Sequence, residues 1–130
     1  MAGNIWVVAD QWQGRLTDIT FEALALGREV ADALKVPLEA VLLGHGCASL
    51  ADELGCADNV ICAEHPALAE PAPETHARAL AELAQQRQPR AIVFPATNTN
   101  WGANTLLAAQ LGVPGVNFVV DLKAVDGALE

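Results

Sequence analysis

IWVVAD, at residues 5–10, is the stretch of this chain that most clearly indicates its fold class. The five residues Ile5–Ala9 are apolar and mostly β-branched or aromatic, a pattern typical of a strand that is buried on both faces. A polar loop from Asp10 to Thr17 follows. Asp18–Leu34 then has apolar residues at helical spacing, and Thr17 or Asp18 can cap the start of this predicted helix.

The same alternation of strand and helix continues along the chain. The further predicted strands are Leu38–Leu43, Asn59–Ala63, Ala91–Pro95 and one within Val113–Val120, and the further predicted helices are Ser49–Leu54, Glu74–Arg87 and Gly102–Leu111. This alternation predicts a three-layer α/β fold, in which an open, mostly parallel sheet of about five strands has helices on both faces. Right-handed crossovers leave few topologies, among them the strand order 3-2-1-4-5.

Length and composition are those of one folded domain over residues 1–130. Hydrophobic residues make up 52% of the 130, and a chain of this size buries roughly two-thirds of its unfolded surface. The last residues, DLKAVDGALE at 121–130, are typical of the start of a β-hairpin with Asp126 and Gly127 at its turn.

Charge and cysteine usage exclude several classes of function. The formal net charge is −9, from 7 basic and 16 acidic residues, and the scattered Lys and Arg give no footprint for nucleic acid. No apolar run approaches the ~20 residues of a membrane span, and the N-terminus lacks the pattern of a signal or transit peptide. Cys47, Cys56 and Cys62 form no CxxC pair, which predicts free thiols in a reducing compartment and a cytoplasmic location.

Catalytic and metal-binding patterns are weak. Ser49 is the sole serine and lies in no GxSxG elbow, and Cys47 next to His45 on a turn is a poor thiol–imidazole pair because neighbouring side chains diverge there. The histidines at 45, 65 and 76 match no metal-ligand spacing. The GHG at 44–46 is better explained as a tight turn after a strand than as a phosphate-binding loop. We therefore predict neither a catalytic nor a metal site, and a small hydrolase is the least supported alternative.

Two polar loops are predicted to flank a crevice at the carboxyl ends of the first and fourth strands, where ligands bind in open parallel sheets. Its walls would be residues 10–13 and 97–102, and its candidate ligand-binding residues are Asp10, Thr97, Asn98, Asn100 and Gly102. The Thr and Asn side chains, with Thr99, could bind an anion at a helix N-terminus or could simply cap that helix. Trp12 and Trp101 would lie at the same edge, either as lids or as anchors for a partner protein.

Five segments together resemble the N-terminal domain of the electron-transfer flavoprotein alpha subunit. The first is IWVVADQWQGRLTDITFEAL at Ile5–Leu24, in which Gly14, Leu16 and Glu22 fit the family. The others are VLLG in the second strand, ELGCADNV before the third, AIVFPAT at Ala91–Thr97, and GANTLLAAQLGVPGVNFVVDL at Gly102–Leu122. The resemblance covers essentially the whole chain and rests on the order and spacing of the segments rather than on a single motif.

Two positions depart from the family pattern. Where the family usually has Gly-Arg-Asp after the fourth strand, Gly102 is followed here by Ala103 and Asn104. Near the predicted fifth strand, Phe118 stands where the family has an aspartate. A charged pair of the family is therefore missing from this chain.

The resemblance implies a Rossmann-like scaffold domain, related in architecture to adenine-nucleotide alpha-hydrolases, within a FAD-dependent electron carrier. In the family, the alpha subunit carries FAD on a C-terminal domain and forms a heterodimer with a beta subunit that binds AMP. The heterodimer carries electrons from dehydrogenases to a downstream acceptor. For residues 1–130 this implies no catalytic residues, no FAD contacts, a beta-subunit partner, and a hairpin at 121–130 that would lead to a flavin domain.

The alternative is a stand-alone adenine-nucleotide-binding domain of the universal-stress-protein type. Asp10 and the loop at 97–102 would form its site. The loop after the fourth strand lacks the glycine-rich phosphate-binding pattern of such domains.

Overall fold

The computed structural model describes residues 3–12, 14–46, 48–70, 72–116, 119 and 121–129. The strands are β1 (Ile5–Ala9), β2 (Gln11–Trp12), β3 (Arg15–Leu16), β4 (Leu38–Gly44), β5 (Asn59–Glu64), β6 (Ala91–Val93), β7 (Ala124–Val125) and β8 (Ala128–Leu129). The helices are α1 (Asp18–Leu34), α2 (Pro73–Arg87) and α3 (Asn98–Leu111), with short 3₁₀ turns at Ala48–Glu53 and Pro66–Leu68.

The main sheet has the order β5-β4-β1-β6, and all of its pairs are parallel. This confirms the predicted α/β class, and the order of the first four predicted strands is the expected 3-2-1-4. β1 pairs with β4 from Ile5 opposite Leu38 to Ala9 opposite Leu42, and with β6 from Ile5 opposite Ala91. The carboxyl ends of β1, β4 and β6 therefore meet at one edge of the sheet.

Helices cover both faces of this sheet because side chains along each strand alternate between them. On β1, Ile5, Val7 and Ala9 face a core formed with α1, whereas Trp6 and Val8 face a second core under α2 and α3. The side chains of β1 and β4 are buried along the whole length of both strands. The result is the predicted three-layer arrangement.

Several details differ from the sequence-based expectations, among them the fourth predicted strand, which ends at Val93 instead of Pro95. The loop predicted at Asp10–Thr17 contains the antiparallel pair β2–β3. The helix predicted to begin at Gly102 begins at Asn98, because the Thr97 hydroxyl accepts a hydrogen bond from the Asn100 amide and caps the polar first turn. Residues 113–116 and 119 belong to no strand, whereas Asn117, Phe118 and Val120 of the predicted fifth strand lie outside the described residues.

The end of the chain forms a hairpin. β7 and β8 pair antiparallel, and the two residues between them, Asp126 and Gly127, have φ angles of 52° and 79°. Two successive residues with positive φ are the geometry of a type I′ turn, which matches the twist of the flanking strands. In the described parts of the chain, no helix is both long enough and apolar enough to cross a lipid bilayer.

A carboxylate ties the starts of β4 and β5 to α1. Asp58 Oδ2 accepts hydrogen bonds from the Leu38 amide at 2.8 Å and from Arg28 Nη2 at 3.1 Å. The Leu38 amide and then the Arg28 guanidinium hold the pKa of Asp58 below its usual value. Because the folded-state pKa is depressed, this stabilisation is present above the unfolded pKa of about 3.9 and is lost as the pH falls through the folded-state value.

Asp58→Asn is therefore expected to lower the thermal unfolding midpoint at neutral pH and to lose this effect in acid. Thermal midpoints of the wild type and of Asp58→Asn, measured from about pH 7 down to about pH 3, check the prediction. The difference between the two midpoints should close below about pH 4. Asp52→Asn, a change of the same charge at an exposed position, is the control. A gap that stays constant with pH would contradict the linkage.

Candidate functional site

A cavity of about 390 Å³ lies at the carboxyl edge of the sheet. It is bounded by the ends of β1 and β4, the β2–β3 hairpin, the segment before α2, and the first turns of α2 and α3. Its lining consists of Val8, Ala9, Asp10, Gln11, Trp12, Gly14, Leu43, His45, Leu68, Ala69, Glu70, His76, Thr99 and Asn100. The fold thus brings Asp10 and part of the 97–102 segment to one cavity, in the region where the sequence predicts a crevice.

Asp10 is held in place by two threonines of the following segment. Its carbonyl oxygen accepts from the Thr17 amide at 3.1 Å and from the Thr20 hydroxyl at 3.0 Å, and its amide donates to that Thr20 hydroxyl at 2.9 Å. Thr20 is fully buried. These bonds fix the direction in which the chain leaves β1 and place the Asp10 carboxyl in the cavity wall.

Asp10 and His76 act on each other electrostatically. Burial raises the pKa of the Asp10 carboxyl, and this rise is opposed by a hydrogen bond from Thr17 and by the positive charge that His76 can carry. Burial lowers the pKa of His76, whereas Asp10 and the backbone carbonyls of Leu68 and Glu70 raise it. Each group thus favours the charged form of the other, and desolvation favours the neutral form of both.

The His76 side chain has one buried nitrogen without a partner. Nε2 makes no hydrogen bond, although it has almost no accessible surface. His76 lies in the first turn of α2, which Pro73 begins. The sequence around His76 carries no signal of this place in the cavity, because the spacing of the three histidines matches no metal-ligand pattern.

The predicted residues of the 97–102 segment have different positions. Thr97 caps α3 through its hydroxyl, and the buried Asn100 lines the cavity while its Nδ2 donates to the Pro95 carbonyl at 3.0 Å. Asn98 is exposed and does not line the cavity. Gly102 also lies outside it and packs on α2, since a Cβ there would be 2.9 Å from Pro73 Cβ. Capping therefore accounts for Thr97 and packing for Gly102, Asn98 is exposed, and Asn100 is the one of the four that lines the cavity.

The charged groups of the cavity are acids and histidines. Asp10 and Glu70 are its carboxylates, His45 and His76 its imidazoles, and no lysine or arginine is among the described lining residues. Within the described ranges, no cluster of three or more His, Cys, Asp or Glu side chains could hold a metal ion. Ser49 does not line the cavity, Cys56 and Cys62 are exposed thiols, and Cys47 lies outside the described residues.

A second, larger concavity of about 1480 Å³ follows the outer edge of β6. Among the described strands, β6 pairs only with β1, so its other edge has no strand beside it. The groove is mostly apolar and includes partly buried side chains of β6 and of the residue after it, such as Ile92 and Phe94. Large apolar side chains exposed in this groove are Trp101, Val113, Val116 and Val119.

Comparison with known proteins identifies the family. A sequence model described as the electron transfer flavoprotein domain matches residues 5–130. The chain belongs to this family. The resemblance to the alpha subunit of electron transfer flavoprotein is thereby confirmed, because several relatives with that name are similar to the chain.

Three relatives illustrate the range of names in the family. The electron transfer subunit beta of acryloyl-CoA reductase from Anaerotignum propionicum is 34% identical over 110 residues, which are 83% of this chain and 30% of that protein. The electron transfer flavoprotein subunit alpha of Clostridium acetobutylicum is 33% identical over 110 residues, 83% of this chain and 33% of that protein. Protein FixB of Clostridium saccharobutylicum is 31% identical over 129 residues, 98% of this chain and 37% of that protein. The chain spans about a third of the length of these relatives.

The departures from the family pattern fall on α3 and beyond it. Ala103 is fully buried, so an arginine at this position would need a different local packing. Asn104 lines the β6 groove. Phe118 lies outside the described residues.

Proposed function

We propose that this domain is the association and scaffold domain of an electron transfer flavoprotein alpha subunit. In this role it joins a beta-type subunit and supports a flavin domain, and it contributes no catalytic residue of its own. FAD belongs to the full-length protein and not to these 130 residues. Membership of the family and the names of its relatives, which include two electron transfer subunits, support this proposal.

The observation that carries the proposal is the apolar groove along the open edge of β6. A sheet edge beside which the described residues place no strand, and which has exposed apolar side chains next to it, is typical of a surface that another chain covers. Val116 is 70% exposed and Trp101 is 40% exposed, although tryptophan and valine usually lose most of their exposure in a folded chain. We therefore assign this groove to the beta-type subunit.

Binding between the 130-residue chain and the beta-type subunit of the same organism tests this assignment. Biolayer interferometry should show a specific complex, and Trp101→Ala and Val116→Asp should each weaken it at least about tenfold, as expected for groups near the centre of an interface. Trp12→Ala and Phe21→Asp are matched controls, because both residues are exposed but neither lines the groove. They should change the affinity less than about twofold.

Two results would overturn the assignment. Absence of a complex at high micromolar concentration would show that the groove is covered by something else, such as the remainder of a longer alpha chain. Equal losses in the groove variants and in the controls would place the interface elsewhere on the domain.

Binding of an adenine nucleotide by a stand-alone domain is the weaker candidate. Phosphate groups need cations or a glycine-rich backbone cradle, and the described lining of the carboxyl-edge cavity has no lysine or arginine. Of the predicted nucleotide-binding loop, Asn98 and Gly102 do not line this cavity.

A further inference from the structure

Charge is distributed unevenly between the two edges of the main sheet. A helix that connects two parallel strands runs antiparallel to them, so α1 and α2 begin at the carboxyl edge and end at the amino edge. The acids at or next to the carboxyl edge are Asp10, Asp18, Glu64, Glu70 and Glu74. Basic residues at the amino edge are Lys35, Arg87 and Arg90. The carboxyl edge is therefore an acidic face.

The charges that oppose this pattern are paired or lie outside the cavity. Near the amino edge, Asp32 and Asp58 both accept hydrogen bonds from Arg28. The buried Glu39 accepts from Asn4 and from the indole of Trp6. Arg15, on β3, is exposed and does not line the carboxyl-edge cavity.

The cavity contains carboxylates without a basic side chain beside them. Asp10 and Glu70 line it, and its described lining has no lysine or arginine. Burial lowers the pKa of His76, so its imidazole does not supply a positive charge at neutral pH. A partly desolvated carboxylate is costly without a cation, and a cation beside Asp10 would favour its charged form. The cavity is thus suited to a positively charged group.

Trp12 indicates which cation fits best. It lines the cavity from β2 and is 58% exposed. A guanidinium can stack on an indole face while its N–H groups donate to a carboxylate, whereas an ammonium offers neither a planar face nor a two-pronged set of donors. The combination of acid and indole therefore favours arginine over lysine.

We propose that the carboxyl edge is a docking surface for a basic partner protein other than the beta-type subunit, with an arginine side chain of that partner entering the cavity beside Asp10 and lying against Trp12. Asp18, Glu64 and Glu74 are exposed and do not line the cavity, so only an occupant larger than the cavity meets them. Tryptophan and arginine are also the residues enriched at the energetic centres of protein interfaces.

The charge of the whole chain supports association of this kind. The formal net charge of −9 attracts basic surfaces over a distance, and complementary charges raise the rate of encounter. The docking surface shares no use with the β6 groove, so failure of either assignment leaves the other standing.

Nuclear magnetic resonance titration of the ¹⁵N-labelled 130-residue chain tests the proposal. The probe is a blocked Gly-Arg-Gly tripeptide, which should shift the amide signals of Gly14 and Asn100 in a saturable way because both residues line the cavity. The same peptide with lysine should bind at least about threefold more weakly, and with uncharged citrulline at least about tenfold more weakly.

Two variants and two matched controls locate the binding site. Asp10→Asn and Trp12→Leu should each weaken binding of the arginine peptide at least about fivefold. Asp52→Asn makes the same change of charge, and Phe21→Leu replaces another exposed aromatic residue, but neither position lines the cavity. Both controls should leave the affinity within about twofold, and circular dichroism of each variant checks that it is folded.

Several results would overturn the proposal. They are the absence of saturable shifts at millimolar peptide, equal affinity for the arginine and citrulline peptides, and losses in the controls as large as in the cavity variants. Unchanged affinity in both cavity variants would place arginine binding elsewhere. Tighter binding of free L-arginine than of the blocked peptide would make the occupant a free amino acid rather than a side chain of a partner protein.

Discussion

Trp6→Ala is expected to lower the free energy of unfolding by about 3–5 kcal/mol, the usual cost of truncating a fully buried tryptophan. Trp6 is in the middle of β1, has no exposed surface, and belongs to the core under α2 and α3. Its Nε1 also donates to Glu39 Oε1 at 3.0 Å, and the Glu39 side chain is itself buried. Alanine would leave a cavity at the centre of the sheet and remove a donor from a buried carboxyl group.

Urea unfolding followed by circular dichroism measures this loss, which is a large part of the ~5–15 kcal/mol by which domains are usually stable. The stability of Trp6→Phe should lie between those of the wild type and of Trp6→Ala. Phenylalanine keeps an aromatic ring in the core, and Glu39 keeps the Asn4 amide, 2.9 Å away, as a donor but loses the indole N–H. Trp12→Ala is the matched control and should change stability by less than about 0.5 kcal/mol because its side chain is exposed. A loss for Trp6→Ala no larger than for Trp12→Ala would show that β1 is not central to the core.

The sequence was sufficient to predict the sheet because buried parallel strands have a simple signature. IWVVA at Ile5–Ala9 and the apolar run in β4 are short, bounded by polar or glycine residues, and separated by an amphipathic helix. Apolar character on both faces of a strand indicates helices on both sides of the sheet, and this arrangement is observed. The predicted start of α3 was wrong because the mostly polar residues 98–101 are typical of a loop. In the structure they form the capped first turn of the helix.

The candidate site was only partly predictable because it depends on contacts between distant segments. Asp10 could be placed at the carboxyl end of β1, since the strand ends where the apolar run ends. The place of His76 in the cavity depends on two features that only the structure shows. One is the start of α2 at Pro73, and the other is the position of the preceding 3₁₀ turn, Pro66–Leu68, over β4. The signal for Gly102 was ambiguous, because a glycine near a predicted ligand loop can serve ligand approach or close packing, and here it packs on Pro73.

The residues after α3 show a further limit of pattern analysis. The β-branched residues at 113–120 predicted a fifth strand, yet the described ones, including Val113, Val116 and Val119, are exposed beside the β6 edge. Several valines in a segment indicate that other residues cover it, but they do not indicate whether those residues belong to the same chain or to a partner. This is why the same residues first predict a strand and then, in the structure, mark the proposed subunit interface.

Gly27→Val is expected to lower the free energy of unfolding by about 3 kcal/mol, through overpacking at the contact between α1 and the sheet. A Cβ at Gly27 would lie 2.6 Å from Val7 Cγ2 and 3.1 Å from Leu38 Cδ1. Both neighbours are fully buried, and a β-branched valine cannot move its methyl group without leaving its preferred rotamer. Gly27→Ala should also destabilise, by about 1 kcal/mol, although alanine in a helix interior ordinarily stabilises by a similar amount.

The sign of the Gly27→Ala effect distinguishes close packing from helix propensity, and thermal or urea unfolding measures it directly. Gly55→Ala is the control, because no atom lies within 4 Å of a Cβ at that position, and it should stay within about 0.5 kcal/mol of wild type. In a double-mutant cycle, Val7→Ala removes the methyl group that the new Cβ would meet. The double variant should therefore be more stable than the sum of the single losses predicts, by about 1 kcal/mol or more. Additive losses would mean that α1 accommodates the new methyl group by shifting, and that Gly27 does not set the distance between α1 and β1.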